Sequence, residues 1–330
     1  YGIRFDSGQD ATFTNNVLTN NNTALRMVSA TDGADTGSGP FVATGNSLGN
    51  SGTALELLNI TGLIIGDASV VGAHVVLADG TSGLNTASTA VFLSNVDNST
   101  IDNLDVTWTG NGSRTGEGIY NQGSSDNLII QNVTSTNRSY GIRFDGGIDP
   151  TFTNNVLTNN NTALRVLNTT DGGDAGTGPF AATGNTFANS STALDLQNLT
   201  GLLVGDSSVV GADVVIADGG LGTVNGEVIF LSNVDNSTFD NLDLTWTGSA
   251  TRTGRGIYSQ NSSDNVTVVR ISSSNRNDGV RFDNGTNLNV NNSTFTNNNI
   301  GVFSNNVGTS SLVNNNTIQV MFFYEALNPF

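Results

Sequence analysis

The sequence predicts an all-β solenoid of about twelve coils, and three observations carry that prediction. The stretch "YGIRFDGGIDPTFTNNVLTNNNTALR" from Tyr140 nearly duplicates "YGIRFDSGQDATFTNNVLTNNNTALR" from Tyr1. Inside this long repeat a shorter unit returns every 22 or 23 residues wherever no loop is inserted. The hydrophobic residues, 36% of 330, fall in short clusters of Val, Ile, Leu and Phe, which suit strands.

The long repeat divides one domain, 1–330, into copies at 1–139 and 140–278 and a partial third at 279–330 that opens with "GVRFDNG". Shared composition on both sides of Tyr140 leaves no place for a linker. The short unit is an apolar anchor, then Asn two residues later, then a small or apolar residue five after the anchor. Ala or Gly follows six further on, leading into an alternating strand. "TFTNNVLTNNNTALRM" shows it with Phe13, Asn15, Leu18 and Ala24, and "LIIQNVTSTNRSYGIRF" with Ile130, Asn132, Ser135 and Gly141. Anchors fall at Phe13, Ala43, Ile65, Ile101, Ile130, Phe152, Ala182, Val204, Phe239, Val268, Val290 and Val313.

One such unit makes a coil of three strands and three turns, too small to enclose a core. Stacked at roughly 4.8 Å, the coils line their anchors into one apolar column. Asn at anchor plus two, seen at Asn15, Asn103, Asn132, Asn154, Asn241, Asn292 and Asn315, is expected to form a ladder of side-chain amides between coils. Arg270 interrupts that series.

The spacing and motif resemble the right-handed, single-stranded parallel β-helix of the pectate-lyase-like superfamily across essentially the whole chain, in a non-catalytic, surface or adhesin-like form. The resemblance implies the handedness. It also implies that "ALRM" and "GIRFD" belong to the first sheet, whose outer face carries the substrate groove in the enzymes. Alternation then places an outer row at Arg4, Arg26, Glu56, Phe92, Tyr120, Arg143, Arg165, Asp195, Phe230, Tyr258, Arg281 and Phe303. A second row contains Asp6, Asp145, Gln197 and Asp283.

Aromatic rings stack on sugars, while Arg and Asp bind hydroxyls or carboxylates. The carbohydrate-binding candidates are therefore Tyr120, Arg143, Asp145, Arg165, Asp195, Tyr258, Arg281 and Asp283. The opposing reading is ordinary cross-strand pairing, as for Arg26 beside Glu56 and Arg165 beside Asp195. The inserted stretches "SATDGADTGSG", "NTTDGGDAGTG", "TGNGSRTGEG" and "TGSATRTGRG" flank this face in sequence and favour a groove.

Catalytic patterns are hard to find. Arg143 with Asp145 is the nearest imitation of a lyase site, but one carboxylate is not a calcium cluster. The Asp-Asp and Gly-His-Gly patterns of polygalacturonases are missing, and the single histidine, His74, is replaced by Asp213 in the second copy. Asp102, Asp105, Asp240 and Asp243 read as solvated edge residues. Interrupted threonine columns argue against ice binding. The sequence thus favours a structural or adhesive segment that holds polysaccharide without cleaving it, over the alternative of a lyase or glycoside hydrolase.

No cofactor is required on this reading, although Ca2+ could sit on Asp32, Asp35, Asp171 and Asp174 in the glycine-rich loops. The net charge of -17 excludes nucleic acid as the expected partner and leaves polysaccharide or another cell-surface component. No stretch reaches transmembrane length. The chain has no cysteine, which is compatible with an extracellular or cell-surface location. Further solenoid repeats are expected upstream of Tyr1. The terminal "VMFFYEALNPF" is expected to cover the other end.

Overall fold

The computed structural model describes residues 1–31, 41–44, 48, 51–65, 75–76, 89–108, 114–172, 178–205, 226–247, 253–308 and 310–319. Twelve parallel strands pair into a first sheet that begins with Ile3–Gln9 and ends with Ile300–Val307. Each strand pairs with the first-sheet strand of the coil before and after it, so the intervening chain must complete a turn of the solenoid. One coil shows how. Tyr140–Ile148 leads into Thr151–Thr153, then Val156–Thr158, and the chain returns to the first sheet at Thr162–Thr170. Thr151–Thr153 pairs in parallel with Ile129–Gln131 and Ala181–Thr183, while Val156–Thr158 pairs with Thr134–Thr136. This is the architecture of a right-handed parallel β-helix.

Alternation along each strand sends every second side chain inward. Val91, Ile119, Ile142 and Leu164 form one fully buried file. The anchors form another: Ile101, Ile130, Phe152, Phe239 and Val268 are all at 0% exposure. Phe144, Phe152 and Phe180 meet edge to face at 5.6 and 6.0 Å, the arrangement their ring quadrupoles favour. Phe13 and Ala182 are partly buried against this column, and Val313 is 53% exposed. The Ala43 side chain and the segment "VMFFYEALNPF" lie outside the described residues.

The Ala or Gly that opens each first-sheet strand has a steric cause. At this corner two successive residues turn inward, so Gly118 and Ile119, Gly141 and Ile142, and Ala163 and Leu164 are buried in pairs. There is little room for the first of them. A Cβ on Gly141 would lie 2.5 Å from the Ala163 carbonyl oxygen and 2.8 Å from Asn160 Nδ2.

The recurring Asn at anchor plus two also meets a backbone requirement. Asn15, Asn103, Asn132, Asn154, Asn241, Asn292 and Asn315 all have φ between 51° and 56°, and Arg270 matches them at 55°. This left-handed conformation favours Asn among non-glycine residues, so the pattern records a backbone requirement. The buried amide contacts lie one residue further on. Asn155 Oδ1 accepts from Val133 N at 2.9 Å, and its Nδ2 donates to Ile130 O and to Asn185 Oδ1, each at 2.9 Å. Asn185 Nδ2 in turn donates to Phe152 O at 2.8 Å.

Two substitutions separate these causes. Gly141→Val should overpack the corner and cost about 1–3 kcal/mol. Asn155→Ala should leave buried backbone groups unbonded and cost about 1–3 kcal/mol as well. Urea unfolding midpoints of both variants against the wild type check this; unchanged midpoints would contradict the corner and ladder assignments.

Candidate functional site

Backbone register places one outward side chain per coil on the first sheet. Tyr120 pairs with Arg143, Arg143 with Arg165, Arg165 with Asp195, and Asp195 with Phe230. The continuation through Tyr258 and Arg281 to Phe303, and the opposite run through Phe92, Glu56 and Arg26 to Arg4, follow the same register. A second file beside it runs Gln122, Asp145, Leu167 and Gln197.

Around Arg143 the groups are tightly engaged. Its Nε and Nη2 donate to Asp145 Oδ2 at 2.9 and 2.7 Å, and its Nη1 lies 3.8 Å from Glu117. Its guanidinium stands 4.5 Å over the Tyr120 ring and 5.7 Å over Tyr140. Burial pulls the Arg143 pKa down, but the Asp145 bond and charge, with Tyr120 and Glu117, outweigh it and raise the pKa further. The Tyr120 hydroxyl is also raised, chiefly by burial, with Arg143 opposing.

Arg165 is held differently. Its nearest carboxylate, Asp195, lies 3.7 Å from Nε, and its Nη groups reach the Tyr140 hydroxyl and Gln197 Oε1 only at 3.4 Å. Both Arg165 Nε and Asp145 Oδ1 are buried without a hydrogen-bond partner. Gln197 explains the gap: its Nε2 donates to Asp195 Oδ1 at 2.7 Å and draws the carboxylate aside. Burial raises the Asp195 pKa; the Gln197 bond and Arg165 oppose, and the charge of Asp145 adds to the rise.

In the first copy the Nε of Arg26 is likewise buried without a partner, but the ion pair is closed. Glu56 stands at the position of Asp195 and Leu58 at that of Gln197. The longer Glu56, with no amide competing for it, reaches Arg26 Nη1 at 2.7 Å. In the third copy Arg281 Nε donates to Asp283 Oδ2 at 2.8 Å and its Nη2 to Oδ1 at 3.3 Å. Burial would raise the Asp283 carboxyl, but Arg281, Tyr258 and Asn305 together hold it below the ordinary range. Burial raises the Tyr258 hydroxyl, with Asp283 reinforcing the rise.

Several residues escaped the alternating pattern. The double inward turn at Gly118 and Gly141 puts Glu117 and Tyr140 on the outer face three residues before Tyr120 and Arg143. Arg255 and Asp278 arrive there in the same way, and Arg255 bridges Glu227 at 2.7 Å and Asp278 at 3.3 Å. Arg138 and Arg276 are fully buried, each donating from Nε to a backbone oxygen, Val106 O and Leu244 O, at 2.8 Å. They lie 5.7 Å from the Trp108 and Trp246 rings, and nothing in their local sequence marks them as internal.

Asp240 is corrected from solvated to 6% exposed, since both its oxygens accept bonds from Arg270. Asp102 accepts from Asn132 at 2.7 Å, and Asp105 and Asp243 bond the backbone two residues on. Of the loop acids, Asp32, Asp35 and Asp174 lie outside the described residues, as do His74 and Asp213; Asp171 is exposed. Among the described residues no three acids or histidines gather as a metal site. No helix among them is long and apolar enough to cross a membrane.

No protein family and no curated protein matches this sequence. Among solved structures, the A-module of mannuronan C-5 epimerase AlgE4 from Azotobacter vinelandii matches at 14% identity and a TM-score of 0.43, over 94% of this chain and 83% of that one. The catalytic unit of a thermostable GH87 α-1,3-glucanase from Streptomyces thermodiastaticus strain HF3-3 matches at 12% identity and a TM-score of 0.27. That match covers 91% of this chain and 60% of the glucanase unit. Both are enzymes, which overturns the sequence-based preference against catalysis; neither likeness assigns a reaction to this chain.

The raised Asp195 pKa has a consequence for stability. The fold holds this proton more tightly than the unfolded chain does, so the residue's contribution is complete below the ordinary value of 3.8 and is lost as pH rises through the folded value. Asp195→Asn removes that loss. Its stability relative to wild type should improve as pH rises from below 3.8 through the folded value, read by urea denaturation; a flat or opposite trend contradicts the assignment.

Proposed function

We propose that the chain is a polysaccharide-active β-helix protein that binds a glycan on the first-sheet face at Tyr120, Arg143, Asp145, Arg165 and Asp195, and hydrolyses it there. The observation that carries this reading is the difference between copies. The Arg–carboxylate pair that closes in the first copy stands open in the second, beside a carboxyl whose pKa is raised. A repeat kept only for presentation has no need of that difference. Arg165 is held only by contacts of 3.4–3.7 Å, so its guanidinium is the group of this face least committed to a partner within the chain.

Asp195 is the candidate proton donor. Burial favours the protonated form of Asp195, the form that can deliver a proton to the departing glycosidic oxygen as the C–O bond breaks. Asp145, bonded by Arg143, is the second carboxylate, and it accepts a proton from the water that adds to the sugar carbon. The two residues stand two coils apart in register, roughly 10 Å along the solenoid axis. That axial offset is too long for direct attack, which needs carboxyls about 5–5.5 Å apart, and lies at the far end of the roughly 6.5–9.5 Å at which a carboxylate activates an intervening water.

Incubation with soluble and insoluble polysaccharides, followed by reducing-end assay and pull-down, tests both parts. Asp195→Asn should retain the bound polymer while lowering turnover by about 100-fold or more. Arg165→Ala should weaken retention about tenfold or more without unfolding the chain, because the side chain points away from the core. Retention without reducing ends in the wild type would restore the adhesive reading. No retention of any polymer would discard this face altogether.

A further inference from the structure

The outer row is divided by its aromatic residues into windows of unequal length. Phe92 and Tyr120 meet edge to face at 5.6 Å, and Phe230 and Tyr258 do the same at 5.8 Å. Between these pairs the row is polar on three successive coils, at Arg143, Arg165 and Asp195. Beyond Tyr258 a single polar coil, Arg281, precedes Phe303. The stretch from Tyr120 to Phe230 thus sets a three-coil polar floor between two aromatic platforms, and Arg165 is loosely held within it.

Length and charge then narrow what fits. From Tyr120 to Phe230 is four register steps, roughly 19 Å. One step, roughly 4.8 Å, is close to the advance of one pyranose ring in an extended glycan. The window and its margin hold Glu117, Asp145 and Asp195 against Arg143 and Arg165, three carboxyls to two guanidiniums. Arg143 already shares its charge with Asp145 and Glu117. With a chain charge of -17 around it, the window offers a polyanion no surplus of positive potential. Hydroxyl-rich neutral sugars meet no such penalty and can bond the loosely held Arg165.

We infer that the window takes a neutral, extended glycan lying along the solenoid axis, one sugar per coil, with its ends stacked on Tyr120 and Phe230. This rests on the polysaccharide-active reading above and adds length, direction and charge to it. About five sugars span the window, so a shorter ligand can reach one platform or the other and never both. The catalytic proposal is independent of this inference, because Asp195 lies inside the window whichever way a glycan runs.

Titration calorimetry with neutral β-1,4-linked gluco-, manno- and xylo-oligosaccharides from dimer to octamer, beside oligogalacturonates of the same lengths, tests it on the Asp195→Asn chain to prevent turnover. Affinity in at least one neutral series should rise about tenfold or more from dimer to pentamer and then level off. Phe230→Ala should remove the gain from the longer ligands and leave the dimer unchanged, and Phe230→Trp should preserve it. Affinity independent of length, or tighter binding of the oligogalacturonates, overturns the inference while leaving the polysaccharide reading intact. Failure of every series at every length overturns both.

Discussion

The parallel pairing of first-sheet strands between successive coils fixes everything else on this molecule. Each coil adds one rung, so a residue's height along the axis is set by its coil and its face by its parity in the strand. The apolar file of Val91, Ile119, Ile142 and Leu164 holds that register, since a slip of one residue would turn all four out to solvent. The cost of the arrangement falls at the corners. There the chain must turn within a few residues, and it does so with left-handed Asn at positions such as Asn132 and Asn154 and with small residues such as Gly141 and Ala163. Buried amides such as Asn155 and Asn185 then satisfy the carbonyls and N–H groups that the turns leave unpaired.

The outer row is a by-product of this scaffold, and the scaffold makes it cheap to vary. A substitution at an outward position changes the surface without touching the core, so three copies of one frame can carry three different surfaces. In the first copy Arg26 and Glu56 close on each other. In the third, Arg281 is taken up by Asp283 as Arg143 is by Asp145, and Phe303 stands at the position of Arg165. In the second, shortening the acid to Asp195 and supplying Gln197 beside it leaves Arg165 loosely held at 3.7 Å. One methylene and one amide thus convert a surface ion pair, of small energetic consequence in itself, into an open site.

The row from Arg4 to Phe303 was legible in the sequence because period-two alternation and the long repeat together determine which side chains share a face. The anchors were legible for the same reason. Other features were not, and each failure has a physical cause. Alternation breaks where two residues turn inward at Gly118 and Gly141, which hid Glu117 and Tyr140 from the site. The Asn pattern was seen, but its backbone cause was not: an amide ladder and a left-handed turn favour the same residue, and only φ reveals the turn. Burial of Arg138 and Arg276 depends on carbonyls of the preceding coil, at Val106 and Leu244, 32 residues away in sequence, and no local spacing signals it.

The central claim is that the second copy's face is distinguished by the open Arg165–Asp195 pair. Asp195→Glu with Gln197→Leu restores the acid of the first copy and removes the competing amide while leaving Arg165 and the apolar column in place. Glycan retention by this variant, measured beside its thermal melting point, tests the claim most directly. The account predicts that the longer acid closes onto Arg165 and retention falls about tenfold or more while the melting point is unchanged or higher. Undiminished retention by a folded variant would contradict it.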